Sequence, residues 1–146
     1  MAKKSKGLVN DQTLKTFKHP DKYGEWMGYE VESIDRVKKE GVTTIELRDD
    51  HLSLAGNVHG GVISGFFDTA LAVACFSTLA ENESCATIEL KVNYFKPLKS
   101  GDVLSCHAKV MFRGRRICTV HGLLYRKGEE SPVAMATATF NVFIRT

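Results

Sequence analysis

The feature that most limits what this chain can become is the run from His59 to about Ala80. It opens His59-Gly60-Gly61 and is then apolar almost all round, with Asp68 as its only charge. Read as a helix, Val62, Ile63, Phe66, Phe67, Ala70, Leu71, Val73, Ala74 and Phe76 leave it no continuous polar face. A helix of that kind lies inside a protein rather than on it, and at its usual rise it would be about 33 Å long. It needs a large sheet to cover it. The run also carries two local penalties. Each glycine in or near a helix end costs roughly 0.5–1 kcal/mol relative to alanine, and a carboxylate on an apolar helix costs more unless something pairs with it. Penalties grouped this closely point to a site.

The rest of the chain supplies the sheet. Two segments, about Met27 to Lys38 and Val42 to Leu47, flank the turn-like Lys39-Glu40-Gly41 and read as a hairpin. Asp49 to Val58 is then a loop. After the helix, Ile88, Leu90, Val92 and Tyr94 alternate with polar neighbours until Pro97, and Leu104, Cys106, Ala108, Val110 and Phe112 repeat the pattern. Arg113-Gly114-Arg115 turns the chain into Ile117 to Tyr125, and Lys127-Gly128-Glu129-Glu130 turns it into Val133 to Ile144. Period-two patterning with turn residues at each break predicts an antiparallel meander. The expected class is α+β, one antiparallel sheet around one long central helix, in the order β-β-α-β-β-β-β. Residues 1–23 read as a polar terminal segment, with a short helix at 13–18 stopped by Pro20, and 24–146 as a single domain.

Charge and cysteine usage exclude several classes. The net charge is only +3, and much of the excess sits in Lys3, Lys4, Lys6, Lys15 and Lys18, so no nucleic-acid partner is expected. Cys75, Cys85, Cys106 and Cys118 form no C-x-x-C and have no histidine at metal spacing, which reads as reduced core thiols without a bound metal. The start, Met-Ala-Lys-Lys-Ser-Lys-Gly, has no apolar stretch of the signal-peptide kind, and no charge-free run is long enough to span a bilayer. The expectation is a cytoplasmic protein with no membrane partner.

Asp68 shares its helical stripe with Gly61, Gly65, Ala72 and Cys75, all small. Two explanations compete: close packing of the helix, or room for a substrate beside the carboxylate. The His-Gly-Gly start favours the second. Unpaired N–H groups and the positive dipole end face outward there, and glycine lets a substrate oxygen approach, as an oxyanion hole requires. Gly60 and Asp68 are eight residues apart, about 12 Å along a helix. A reacting carbonyl must sit about 3 Å from both the oxyanion donors and the attacking group. One regular helix cannot do that, so the two should meet across a homodimer or a homotetramer built from dimers.

The segment Gly56-Asn57-Val58-His59-Gly60-Gly61-Val62-Ile63-Ser64-Gly65-Phe66-Phe67-Asp68 resembles the H-G-G-x(6)-D signature of hotdog-fold acyl-CoA thioesterases, in the phenylacetyl-CoA thioesterase (PaaI-like) group of the 4-hydroxybenzoyl-CoA thioesterase superfamily. Thr87 to Pro97 is similar to that group's strand after the helix, and the resemblance covers about residues 24–144. It implies a hotdog fold and hydrolysis of an acyl-CoA to free acid and coenzyme A, with no cofactor because coenzyme A belongs to the substrate and product. By the same resemblance Asp68 is the general base or nucleophile, the Gly60 N–H polarises the carbonyl, His59 orients the thioester or its leaving sulfur, and Thr87 helps hold the attacking water. The group's pattern places an asparagine six residues before the histidine. This chain has Ser53 there, with Asn57 two before His59 as the alternative carrier of that role. Gly61 completes the substrate-binding set.

Outside that set, Arg113, Arg115 and Arg116 read either as a solvated hairpin tip or as contacts for coenzyme A phosphates. Lys91, Lys96 and Lys99 are weaker candidates. His51, His107 and His121 lack a carboxylate or cysteine at recognisable spacing and read as strand or loop residues. A non-catalytic acyl-CoA binding module is the rival reading, and Asp68 argues against it because a pure binder has no use for a base. A dehydratase fits less well, since the helix offers no second acid–base group.

Overall fold

A computed structural model of the chain describes residues 21–146. In chain order these form α1 (Lys22–Met27), β1 (Tyr29–Asp35), β2 (Glu40–Glu46), a 3-10 turn at Asp49–His51, α2 (Gly60–Phe76), β3 (Glu83–Tyr94), β4 (Val103–Arg113), β5 (Ile117–Arg126) and β6 (Ala134–Ile144). The six strands make one fully antiparallel sheet in the order β1-β2-β4-β5-β6-β3, and α2 packs against it. The sequence of elements from β1 onward is the expected one. The helix read at 13–18 lies outside the described residues.

α1 was not expected. Its cap explains it: the Asp21 carboxylate accepts the Gly24 N–H at 2.8 Å. At the other end Gly28, at φ 80°, returns its N–H to the Gly24 carbonyl. The helix therefore starts two residues before the predicted domain boundary and displaces the start of the first strand from Met27 to Tyr29. The hairpin turn also moves. Asp35 accepts the N–H groups of Val37 and Lys38 at 2.9 and 2.8 Å and Lys39 adopts φ 57°, so Glu40 and Gly41 belong to β2 rather than to the turn. Gly41 serves packing instead: a Cβ there would lie 3.0 Å from Val73 and 3.2 Å from the Ala74 backbone.

Phe66 and Phe67 are both fully buried although adjacent helical side chains point about 100° apart. That requires cover over a wide arc, which the sheet and the buried Met27 of α1 provide. The helix is not enclosed all round, however. Gly61, Ser64, Gly65, Asp68, Thr69, Ala72 and Phe76 are half-buried or exposed, and this open stripe carries the site described below. Cys75, expected on the stripe, is fully buried.

α2 ends at Phe76, four residues short of the expected Ala80. The Ser77 and Thr78 hydroxyls donate to the carbonyls of Ala74 and Cys75 at 2.6 and 2.8 Å, satisfying acceptors that another turn would have used. β3 begins five residues before Ile88, and its register slips between Thr87 and Glu89. This bulge turns Ile88 outward, 57% exposed, against the simple alternation expected of it.

Candidate active site

The start of α2 is built by its histidine. The N–H of Gly61 donates to His59 Nδ1 at 2.8 Å, so His59 is the N-cap. A Cβ on Gly61 would come within 2.9 Å of that nitrogen, so Gly61 is glycine because the cap needs the space. With its N–H given to His59, Gly61 serves the helix cap. Gly60 differs. A Cβ there would meet nothing closer than Tyr94 at 3.6 Å, and its N–H finds no acceptor among the described residues. Packing does not require this glycine.

His51 fixes the cap from behind. Its carbonyl accepts the His59 N–H at 2.8 Å, and its Nδ1 accepts the Arg48 N–H at 3.2 Å. The ring is buried, edge-on to Trp26 at 5.5 Å. Burial, and then the charge of Arg48, lower its pKa below the ordinary histidine value. It is the structural histidine the sequence suggested.

Halfway along α2, Asp68 Oδ1 accepts the Thr87 hydroxyl at 2.6 Å. The bulge directly after Thr87 sets the local direction of β3 at this point. The carboxylate is half-buried rather than sealed in the core. It faces a cavity of about 520 Å³ between α2, β1 and β3. Asp21 and Tyr29, which the sequence reading missed, form one side of it, with the Tyr29 hydroxyl donating to Asp21 at 2.5 Å. Burial first, then that bond to Asp21, raise the Tyr29 pKa and keep the phenol protonated. The Asp21…Gly28 cap spacing was the available signal for α1, and nothing in sequence marked Tyr29.

Gly60 opens on a different cavity, of about 280 Å³, shared with Asn57, Ile63 and Tyr94. The Tyr94 hydroxyl donates to the Gly60 carbonyl at 3.1 Å, a contact that strand alternation did not suggest. Ser53 and Asn57 lie opposite one another in the preceding loop, Ser53 N–H donating to the Asn57 carbonyl at 2.7 Å, and only Asn57 reaches this cavity. Among the described residues none lines both cavities. The chain thus brings Asp68 to Thr87 and Asn57 to Gly60, but leaves the two pairs apart.

The basic turn is divided as well. Arg113 is bound to the protein itself, at 2.9 Å to Glu83 and 3.1 Å to Thr78 and on to the carbonyls of Gly114 and Arg115. Lys96 is likewise engaged by Glu129 and Ser131, each at 2.9 Å. Arg115 and Arg116 are exposed beside a cavity of about 540 Å³. All four cysteines are unpaired, and burial pushes the Cys106 thiol up to about 12. Among the described residues no cluster of three or more histidine, cysteine or acidic side chains could hold a metal, and no helix is long and apolar enough to cross a membrane.

Comparison with known proteins supplies the wider setting. A presumptive esterase of Caenorhabditis elegans is 30% identical over 100 residues, 68% of this chain and 59% of that protein. Another from Saccharolobus solfataricus is 32% identical over 93 residues, 64% of this chain and 60% of its own length. The chain therefore spans about three fifths of these relatives. Among solved structures, a mutant of the phenylacetic acid degradation protein PaaI from Thermus thermophilus is 28% identical with a TM-score of 0.73, covering 86% of this chain and 100% of that one. Protein smu.793 from Streptococcus mutans, solved bound to acetyl CoA, is 26% identical with a TM-score of 0.71, covering 81% and 91%. The thioesterase superfamily model matches residues 55–133, more than half of the chain, from the loop before α2 through the turn before β6. A capped glycine helix start, a carboxylate two turns on, the wrapped antiparallel sheet and this match together establish that the chain belongs to the thioesterase superfamily.

Proposed function

We propose that this chain hydrolyses acyl-CoA thioesters to a free acid and coenzyme A, as a homodimer or a dimer of dimers. The observation that carries the reading is the Asp68 carboxylate, held by Thr87 at 2.6 Å and facing a roomy cavity, with no basic partner among the described residues. Thr87 occupies one oxygen and orients the carboxylate. The other is available to take a proton from water as it attacks the thioester carbon, or to attack that carbon directly. The C–S bond then breaks and coenzyme A leaves as the thiol.

The developing oxyanion needs donors, and the unengaged N–H of Gly60 at the positive end of α2 suits it. Asp68 and Gly60 of one helix are about 12 Å apart and open on separate cavities, so the reading pairs Asp68 of one protomer with the partner's Gly60. The exposed outer edge of β3, long and carrying Ile88, supports pairing with another copy, since such edges are normally covered. His59, its Nδ1 accepting the Gly61 N–H, turns Nε2 to the thioester sulfur, and Asn57 offers an amide beside the carbonyl. Arg115 and Arg116 are the guanidinium groups left to meet phosphate. The solved relative bound to acetyl CoA supports the coenzyme A handle. No cofactor enters this chemistry, and the unpaired cysteines suit a reducing, cytoplasmic setting.

The test is turnover of a panel of acyl-CoAs, followed by free-thiol release, for the natural protein and for Asp68→Asn. The amide keeps the size of the side chain, so the fold should persist while kcat falls by about 10²–10⁴-fold. Binding without turnover in the natural protein would instead favour a non-catalytic binding module. Turnover untouched by Asp68→Asn would make the carboxylate structural.

A further inference from the structure

The cavity that Asp68 faces runs along one stripe of α2. Its helical lining steps from Asp68 to Ala72 to Phe76, so Phe76 stands about 12 Å beyond the carboxylate. The opposite wall runs the same way. Thr87 meets Asp68, and Cys85, two residues back along β3 and about 7 Å farther, lies against Cys75 near the end of the helix. The helical wall is therefore small at one turn, where Ala72 stands, and bulky at two.

The polar groups of the lining are placed unevenly. Asp68 and Thr87 pair with each other, and Thr69 adjoins them. Asp21 is satisfied by the Gly24 N–H and the Tyr29 hydroxyl, which uses that tyrosine's proton as well. Among the described residues the remaining lining is Val31, Ala72, Val73, Phe76, Cys85 and Phe140, with neither a charge nor a strong hydrogen-bonding side chain among them. A hydroxyl or carboxylate on an acyl group lying there would lose its water and gain no partner from these side chains.

We propose that this stretch is the acyl channel, that it takes an unsubstituted hydrocarbon acyl group, and that Phe76 sets the length it accepts while Ala72 gives passage. The inference rests on the thioesterase reading and deepens it to a substrate class and two specificity-determining residues. With the thioester carbon at Asp68, the acyl tail extends over Ala72 toward Phe76. Each methylene buried on the way should raise kcat/KM about three- to fourfold, and the gain should stop where the tail reaches the Phe76 ring.

The experiment measures kcat/KM for straight-chain acyl-CoAs from acetyl to palmitoyl, with phenylacetyl-CoA and 4-hydroxyphenylacetyl-CoA as further arms. The natural protein should show a rise with length and then a break, and should disfavour the hydroxylated aryl substrate by about tenfold or more. Phe76→Ala should move the break to longer chains, and Ala72→Leu should move it to shorter ones. Because Phe76 contributes to the core, Phe76→Leu is the milder second variant, and thermal melts accompany all three. Preference between the straight-chain and phenylacetyl arms identifies an alkyl or an aryl occupant of the same channel. If no acyl-CoA is turned over, the functional reading and this inference fall together. If substrates are turned over but folded Phe76 and Ala72 variants keep the natural length profile, or the hydroxylated aryl group is accepted equally, the channel assignment alone is overturned.

Discussion

Replacing Gly60 by alanine separates function from architecture at one atom. Gly60 is the first residue of α2 and its φ is not in the left-handed region, so alanine can adopt its backbone. The added methyl would lie 3.6 Å from the Tyr94 ring, an ordinary contact. Alanine should therefore stabilise the fold by about 0.4–1 kcal/mol, or raise Tm by roughly 1–4 °C for a domain of this size. The same methyl crowds the approach to the Gly60 N–H, which finds no acceptor among the described residues. Losing an oxyanion donor costs about 10²–10³-fold in kcat. Gly61→Ala is the internal control, because its methyl would sit 2.9 Å from His59 Nδ1 and break the cap, which destabilises by about 0.5–2 kcal/mol. The assay is thiol release alongside a thermal melt for both variants. A stabilised Gly60→Ala protein with full activity would refute the oxyanion role. A strongly destabilised one would show that this glycine is structural after all.

Two further outcomes follow from the same geometry. His51 has a lowered folded pKa, so its contribution to stability is complete above the unfolded histidine value of about 6.5 and is lost as pH falls from there through the lower folded value. Melts from pH 8 to pH 5 should show a decline below that point that His51→Gln diminishes, and an identical decline in both proteins would exclude His51. Asn57 does not cap α2, since His59 does, so Asn57→Ala should leave Tm nearly unchanged and lower kcat more than it raises KM, with Ser53→Ala close to neutral in both. A lowered Tm with unchanged kcat would make Asn57 a loop-shaping residue.

Much of this architecture was legible in sequence because period and length carry it. The all-round apolar run demanded a wide sheet, and the four alternating segments after it supplied one. What was not legible depended on contacts between distant segments. The bulge after Thr87 breaks alternation without a glycine or proline to announce it, so Ile88 read as a core residue. Gly41 read as a turn because glycine's two uses, positive φ and close approach, look alike until α2 is seen against β2. Gly65 read as room for substrate, yet the Tyr23 hydroxyl fills that space: a Cβ there would lie 2.1 Å from it. At the site, the spacing of Gly60 from Asp68 was enough to place the two on different cavities, because helix rise is invariant. The engagement of Arg113 was not legible in this way, because its pairing with Glu83 depends on the end of β4 meeting the start of β3 near Thr78.

The central claim, that Asp68 and Gly60 act on one substrate from different protomers, is tested most directly by mixing two inactive variants. Asp68→Asn and Gly60→Leu proteins, each inactive alone, would be unfolded together in equal amounts and refolded. If the sites are shared, half of the dimers are hybrids in which one of the two sites pairs an intact Asp68 with the partner's intact Gly60, so activity should return to about one quarter of the natural value. If both groups served a site within one chain, every site in the mixture would carry a lesion and no activity would return.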